Sequence, residues 1–335
     1  MRIGWILLVG LCLPGMAQAE KNELITKDTR RAMDAGLAYL VKEQSPDGAW
    51  GTRGPNVAVT SLTGLALLSA GHQPDQGEIG KRLAKTLRFV LSQQHENGYL
   101  AGKRSANMYG HGYALQFLAD IHAKLSDKKQ RDEVKAALER AVKLLVDSQS
   151  KAGGWRYEPN GISEDITVTS VEVAALHAAR EADITVPQAT LDQAVGYIKA
   201  CQIKDSGGFR YMRNAGTATF SRTAAALAAL NRAGIKEDEA ITEGLGYLQK
   251  FKPGEGAERV VFHYSYGHFY ATQTMWYAGD KEWKLWYPAI RDELIGRQKD
   301  DRWVDHANSG CPHQCTAMAL IILQMPHGHL RSMKR

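Results

Sequence analysis

Cys311, His313 and Cys315 fall within five positions of the stretch NSGCPHQC, residues 308–315. Thiolate and imidazole ligands this close together suit zinc or copper, and cysteines four apart at a helix start can face one centre. The same two cysteines can instead close a local disulfide in an oxidising compartment, or pack as plain thiols. A second group is a duplication. MYGHGYALQF (108–117) returns as SYGHFYATQT (265–274), which repeats Tyr109-Gly110-His111 as Tyr266-Gly267-His268. An imidazole beside a carboxylate is equipped for general acid and base work. The acidic pair available for that is Glu164-Asp165, in SEDITVTS.

Whether these groups meet depends on the elements that carry them. Segments of one design recur along the chain, such as GLAYLVKEQSPDGAWG, AVKLLVDSQSKAGGWRY and AVGYIKACQIKDSGGFRY. Anchored on Tyr39, Phe89, Leu144, Tyr197, Tyr247 and Leu294, six units follow at intervals of 50, 55, 53, 50 and 47 residues. Each unit reads as an amphipathic helix ending near a Gln, a Gly-rich turn with an aromatic, and a second helix rich in small and apolar residues. The second helices carry few charges and belong inside; the first carry Lys, Arg, Asp and Glu on one face and belong outside. Strand patterns are nearly absent. The fold class is therefore all-α, with six hairpins closing into an α/α toroid of inner and outer rings.

In such a ring the two Tyr-Gly-His copies, 157 residues or three units apart, lie on opposite walls. Both open an inner helix and are expected at one mouth, where neighbouring repeats are the better partners. His111 adjoins the Glu164-Asp165 repeat and forms an acid/base pair with one of them. His268 adjoins Cys311, His313 and Cys315, a metal set to which His263 also belongs. The alternative is that each His bonds across adjacent helix ends while its Tyr packs in the core, and that Asp165, Glu164 or Ser163 caps its helix. A polar ring at the mouth of an apolar cavity is the expected ligand site.

The turns carry a more specific signal. QSPDGAW (44–50) and QSKAGGW (149–155) resemble the Gln-x-x-x-Gly-x-Trp repeat of the squalene cyclase and protein prenyltransferase superfamily. Tyr99 replaces Trp in QHENGYL, a residue is inserted before Gly208 in QIKDSGGF, and RQKDDRW lacks its Gly. The pattern is most similar to secreted bacterial proteins with such repeats, over about residues 30 to 327. The resemblance implies the toroid and a central cavity for an apolar or isoprenoid-like ligand. It does not carry a reaction over. Terpene cyclases of the superfamily protonate an alkene with Asp-x-Asp-Asp, and here the matching place holds only Glu164-Asp165. Prenyltransferases hold zinc with Asp-x-Cys and a His; His313 matches that His in position, but no Asp-x-Cys precedes it. A non-catalytic scaffold binding another protein is the first alternative. A carbohydrate lyase or hydrolase on the same fold, using Tyr109, His111 and Arg222, is the second.

The ends and the balance of charge set outer limits. MRIGWILLVGLCLPGMAQAE has one early Arg, an apolar run and Ala17-Gln18-Ala19, which reads as a secretory leader over residues 1–19. The protein is thus expected in the periplasm or medium, with the toroid spanning 20–335. No later run is long enough for a transmembrane helix. The net charge of +6 is modest and scattered, which disfavours a nucleic-acid partner. Beyond the leader three cysteines remain, Cys201, Cys311 and Cys315. An odd number excludes a disulfide framework as the source of stability.

Overall fold

The computed structural model describes residues 24–54, 56–102, 107–255, 262–305 and 310–335. The leader expected over 1–19, and Asn308 and Ser309 of the cysteine stretch, lie outside the described residues. Six hairpins follow one another: α1 (Lys27–Lys42) with α2 (Val57–Ser69), α3 (Gly77–Ser92) with α4 (Met108–His122), α5 (Lys128–Asp147) with α6 (Ile166–Glu181), α7 (Gln188–Ala200) with α8 (Phe220–Arg232), α9 (Glu239–Gln249) with α10 (Tyr264–Ala278), and α11 (Asp280–Arg297) with α12 (Pro312–Gln324). No strand occurs among the described residues, only isolated bridges. No described helix is long and apolar enough to cross a membrane.

Composition sorts the two rings. Along α3, Leu83, Thr86, Leu87 and Val90 are buried while Lys81, Lys85 and Arg88 face out. By contrast α2, VAVTSLTGLALLS, is buried on almost every side, as a helix with neighbours all round must be. The inner helices pack in sequence, α2 on α4, α4 on α6, α6 on α8, α8 on α10 and α10 on α12, and α12 returns to α2. That last contact closes the toroid. Side-chain caps start several of these helices: Asn56, Asn107, Asp165 and Thr219 each accept an amide N–H from the first turn of an inner helix.

The recurring Gln, Gly and Trp are joinery. Gln44, Gln94, Gln149 and Gln202 each donate one side-chain amide to the carbonyl of their own turn glycine and to a carbonyl of the next outer helix, those of Arg82, Ala137, Thr190 and Ala240. Gln298 donates to Ala32 on α1, so the last unit is stitched to the first. Between the fifth and sixth units a carboxylate does this work, Glu293 accepting from the Gly254 N–H and the Tyr264 hydroxyl. The glycines are compelled twice over. Gly153 has φ +99°, and a Cβ on it would lie 2.3 Å from the Gln193 carbonyl oxygen of α7. In the sixth copy, which lacks its Gly, Asp301 takes the left-handed conformation at φ +60°. Trp50, Trp155 and Trp303 donate their indole N–H to Leu40, Leu145 and Leu294, at the end of the preceding outer helix.

Two features fill the ring's lower half. Tyr113 and Tyr270, equivalent residues of the duplicated stretch, meet across the axis at 3.3 Å between hydroxyls. Below them Arg232 of α8 bridges a second equivalent pair, donating to Gln116 at 3.3 Å and to Gln273 at 2.7 Å. Residues 331–333 then plug the base: the Ser332 amide and hydroxyl donate to buried Asp120, and the Trp276 indole donates to the Met333 carbonyl.

Gly153→Ala should therefore destabilise the fold by about 2 to 4 kcal/mol in urea unfolding, from strained φ and the collision with α7 together. Gly196→Ala, in open space on α7, should instead stabilise by roughly 0.5 to 1 kcal/mol.

Candidate functional site

All inner helices begin at one face of the toroid, and there a cavity of about 1190 Å³ opens. The caps of five of them, Asn56, Asn107, Thr219, His263 and Cys311, line it, and Thr167 lines it from the first turn of α6. Converging helix N-termini give this mouth a positive potential, to which Arg53 and Arg222 add. The fourth and fifth units give the wall an apolar stretch, Phe220, Phe251 and Phe262, and the first unit adds Ala58 and Val59 from the opposite wall. Tyr109, Tyr157 and Tyr211 form a hydroxyl-bearing side, and Tyr113 lies at the bottom. No carboxylate lines the cavity among the described residues.

Asp165 organises that hydroxyl side from behind. It is fully buried and caps α6, accepting the N–H groups of Thr167 and Val168, both at 2.9 Å. Tyr109 donates to the Thr167 hydroxyl (2.7 Å), which donates to Asp165 (2.5 Å); Tyr211 donates to the other carboxylate oxygen at 3.2 Å. Tyr157, 2.8 Å from Tyr211, must then give its proton to Tyr211. Every phenol proton in the chain runs toward Asp165, so Tyr109 and Tyr157 turn acceptor lone pairs to the cavity. Burial, with Asp165 nearby, pushes the Tyr109 phenol far above its usual value, and it stays a neutral hydroxyl. Arg156 lies 3.9 Å from Asp165 and over the Tyr157 and Tyr211 rings.

His111 and His268 are not at the mouth, which corrects the sequence expectation. Both are fully buried between the rings. The His111 Nδ1 accepts the Leu100 N–H at 3.1 Å, and its Nε2 faces the Ala141 carbonyl of α5 at 3.2 Å, which places the proton on Nε2. In four other repeats a threonine does the same for the residue at the Trp position: Thr60, Thr169, Thr223 and Thr316 accept the N–H of Trp50, Trp155, Phe209 and Trp303, so in the second unit it is Leu100, and not Tyr99 as expected, that stands in the place of Trp. One turn into an inner helix, a side chain points back to the preceding turn and not to the axis. His268 packs among Tyr264, Phe220 and Trp286, with ring centroids 4.3, 4.8 and 6.0 Å away, and neither nitrogen has a partner among the described residues. His111 therefore forms no acid/base pair with Asp165, whose partners are those above, or with Glu164, which lies beside Gly154.

The expected metal set is likewise not assembled. Among the described residues no three His, Cys, Asp or Glu side chains converge to hold an ion, and Cys311, Cys315 and Cys201 are free thiols. The reason is local. Cys311 is the extended cap residue before α12 (φ −66°, ψ 122°), so it faces the cavity. Cys315 is one turn inside and turns toward Ser265 and Asp305, its thiol pushed up to about 12 by burial and then by Asp305. His268 faces the joint between α10 and α11, and His263 lines the mouth as an exposed left-handed cap (φ 55°). Only Cys311 and His313 remain together, at 3.9 Å between Sγ and Nδ1. Among the described residues, then, no set fits zinc or copper.

Tyr157 and Tyr211 are what the sequence reading passed over, Tyr109 having entered only with the carbohydrate alternative. A signal was available in GGWRY and GGFRY, which place Tyr157 and Tyr211 two residues after the turn aromatics of successive units.

No family model matches the chain. Among curated proteins, a drimenyl diphosphate synthase of Streptomyces showdoensis is 27% identical over 184 residues, 54% of this chain and 32% of that protein. A lanosterol synthase of Aspergillus fumigatus is 28% identical over 138 residues, 39% of this chain and 18% of that protein. The chain thus spans less than a third of the length of these relatives. Among solved structures, a type II terpene cyclase of Scytonema superposes with TM-score 0.62 at 14% identity, over 90% of this chain and 98% of that one. An inactive variant of the α-1,6-mannanase GH76A of Salegentibacter sp. HEL1_6, in complex with an α-1,6-linked mannose tetramer, superposes with TM-score 0.64 at 10% identity, over 90% and 99%.

If His111 serves the joint, His111→Thr should retain the turn's acceptor and be more stable than His111→Ala by about 1 to 3 kcal/mol. Burial holds the His111 imidazole down at about 4, whereas an unfolded histidine titrates near 6.5. Its contribution is complete above about pH 6.5 and is lost as pH falls toward 4. Relative to His111→Thr, wild-type stability should drop across that window by up to about 1.4 kcal/mol per pH unit, read from urea midpoints.

Proposed function

We propose that this chain, a toroid similar to squalene cyclase-like proteins, is an exported protein that binds an apolar or isoprenoid-like molecule in its central cavity. The observation that carries this is the cavity itself, about 1190 Å³, with Phe220, Phe251 and Phe262 as well as several tyrosines in its lining. That volume suits a ligand larger than a typical metabolite. The apolar lining supplies the driving force, roughly 25 cal/mol for each Å² removed from water. The acceptor lone pairs of Tyr109 and Tyr157 select a ligand whose polar end bears a hydroxyl. The names of the relatives point the same way, since drimenyl diphosphate and lanosterol are both isoprenoid products.

Cyclisation started by an alkene-protonating acid is not part of the proposal. Asp165 lies behind the tyrosines of the lining, but its oxygens accept two amides and two hydroxyls, a cap and an anchor for tyrosines. Glycoside hydrolysis needs two carboxyl groups flanking the scissile bond, and the described lining has none.

Titration with farnesol and geranylgeraniol, followed by intrinsic tryptophan fluorescence, should give saturable binding. Ala58→Trp, which narrows the cavity from the wall opposite Phe220, should weaken it at least tenfold without lowering the melting temperature. Lipid extraction of the natively purified protein and mass spectrometry should recover a prenyl compound. An empty cavity with no isoprenol binding would overturn the reading, in favour of a scaffold if a stoichiometric protein partner co-purifies. Saturable binding of mannotetraose in their place would favour a carbohydrate ligand.

A further inference from the structure

Among the described residues Cys311 is the one cysteine that lines the cavity, and its surroundings differ from those of Cys201 and Cys315. It is the residue that precedes α12, a helix of 13 residues, and its side chain makes no capping hydrogen bond. His313 is only 7% exposed. Its Nδ1 lies 3.9 Å from the Cys311 Sγ, and its Nε2 lies 3.7 Å from a Glu43 carboxylate oxygen and has no closer partner among the described residues. The ring is held flat against Tyr39, centroids 5.8 Å apart and planes 28° apart. Thiol, imidazole and carboxylate thus stand in line, with the thiol on the cavity side.

We propose that Cys311 is a nucleophile that takes acyl groups from ester or thioester carbonyls in the cavity, with His313 as its base and Glu43 as a positioning residue. This rests on the preceding reading only in expecting the acyl chain to be apolar. The thiol proton passes to His313 Nδ1 as Sγ bonds to the carbonyl carbon. The bond from that carbon to the leaving oxygen or sulfur breaks, and His313 returns the proton to the departing alcohol or thiol. Water, giving a proton to His313, then attacks the thioester carbon. The carbon–sulfur bond breaks, a carboxylic acid leaves and the thiol is restored. A separation of 3.9 Å is long for a proton transfer, but such contacts tighten once substrate excludes water. Gln314, which also lines the cavity, is placed to donate its amide to the developing oxyanion.

The electrostatics agree with the geometry. Burial works against ionisation of Cys311, yet the His313 side chain and the nearby backbone N–H groups of Gln314 and His313 bring the thiol below its ordinary value. The thiolate in turn, burial opposing and Glu43 assisting, raises His313. The other groups around the pair are Tyr39 on α1, Arg302 (5.7 Å from the Tyr39 ring), Cys315 and Asp305. Cys201 provides the contrast: burial pushes its thiol up to about 11.

The test uses the full folded chain. Iodoacetamide labelling at pH 7, mapped by peptide mass spectrometry, should modify Cys311 at least tenfold faster than Cys201 or Cys315. Its rate should inflect below the ordinary thiol range, and His313→Gln should move the inflection up. Glu43→Gln should slow acylation while leaving the circular dichroism spectrum unchanged. p-Nitrophenyl acetate and p-nitrophenyl dodecanoate should each release a burst of one equivalent of nitrophenolate and leave the acyl group on Cys311, and Cys311→Ser should abolish both bursts. Labelling with the profile of a free thiol, or no burst with either ester, overturns the nucleophile whatever isoprenol binding shows. A burst with acetate alone retains it and counts against the apolar-ligand reading.

Discussion

A side-chain amide reaching one carbonyl on the next outer helix governs this molecule. At the first four joints two backbones come so close that a methyl group on the turn glycine would collide with the neighbour, as at Gly153 against Gln193. Such a contact fixes both the distance and the angle between successive hairpins, and the same angle repeated closes a circle when the sixth unit reaches the first through Gln298 and Ala32. The individual hydrogen bonds contribute about 1 kcal/mol each. Their larger effect is to specify curvature, and curvature determines how wide a space the inner helices enclose.

Within that frame the duplicated Tyr-Gly-His stretch does opposite things along one helix. Its histidine faces outward into a joint, where other units use threonine, and its tyrosines face inward. The copies do lie on opposite walls, and it is Tyr113 and Tyr270, with Gln116 and Gln273 through Arg232, that are linked across the axis. An imidazole with no route to solvent and its proton committed to the Ala141 carbonyl is a strut. The histidines that drew attention in the sequence therefore belong to the architecture, and the aromatic residues beside them belong to the cavity.

What the sequence made legible follows from locality. Repeats, helix boundaries, the turn glycines and the Asp165 cap depend on residues a few positions apart, and all could be read. The facing of an inner helix could not. A helix buried all round, such as α4 or α10, has no polar face to set its phase, so His111 could be placed along its helix but not around it. The metal expectation failed similarly: treating Cys311 and Cys315 as one helical turn ignores that a cap residue is extended and points elsewhere. Glu43 was out of reach altogether, because only ring closure brings the first outer helix beside the last inner one. Tyr157 and Tyr211 were within reach, since their motif repeats in plain sight.

The plugged base has a consequence of its own. With Ser332 held on Asp120 and the Tyr113–Tyr270 bar above it, the toroid is a well and not a tunnel. A guest of the kind proposed would enter and leave by the same rim. The depth of the well would then act as a gauge, covering a chain short enough to settle onto the tyrosine bar and leaving the last atoms of a longer one at the rim.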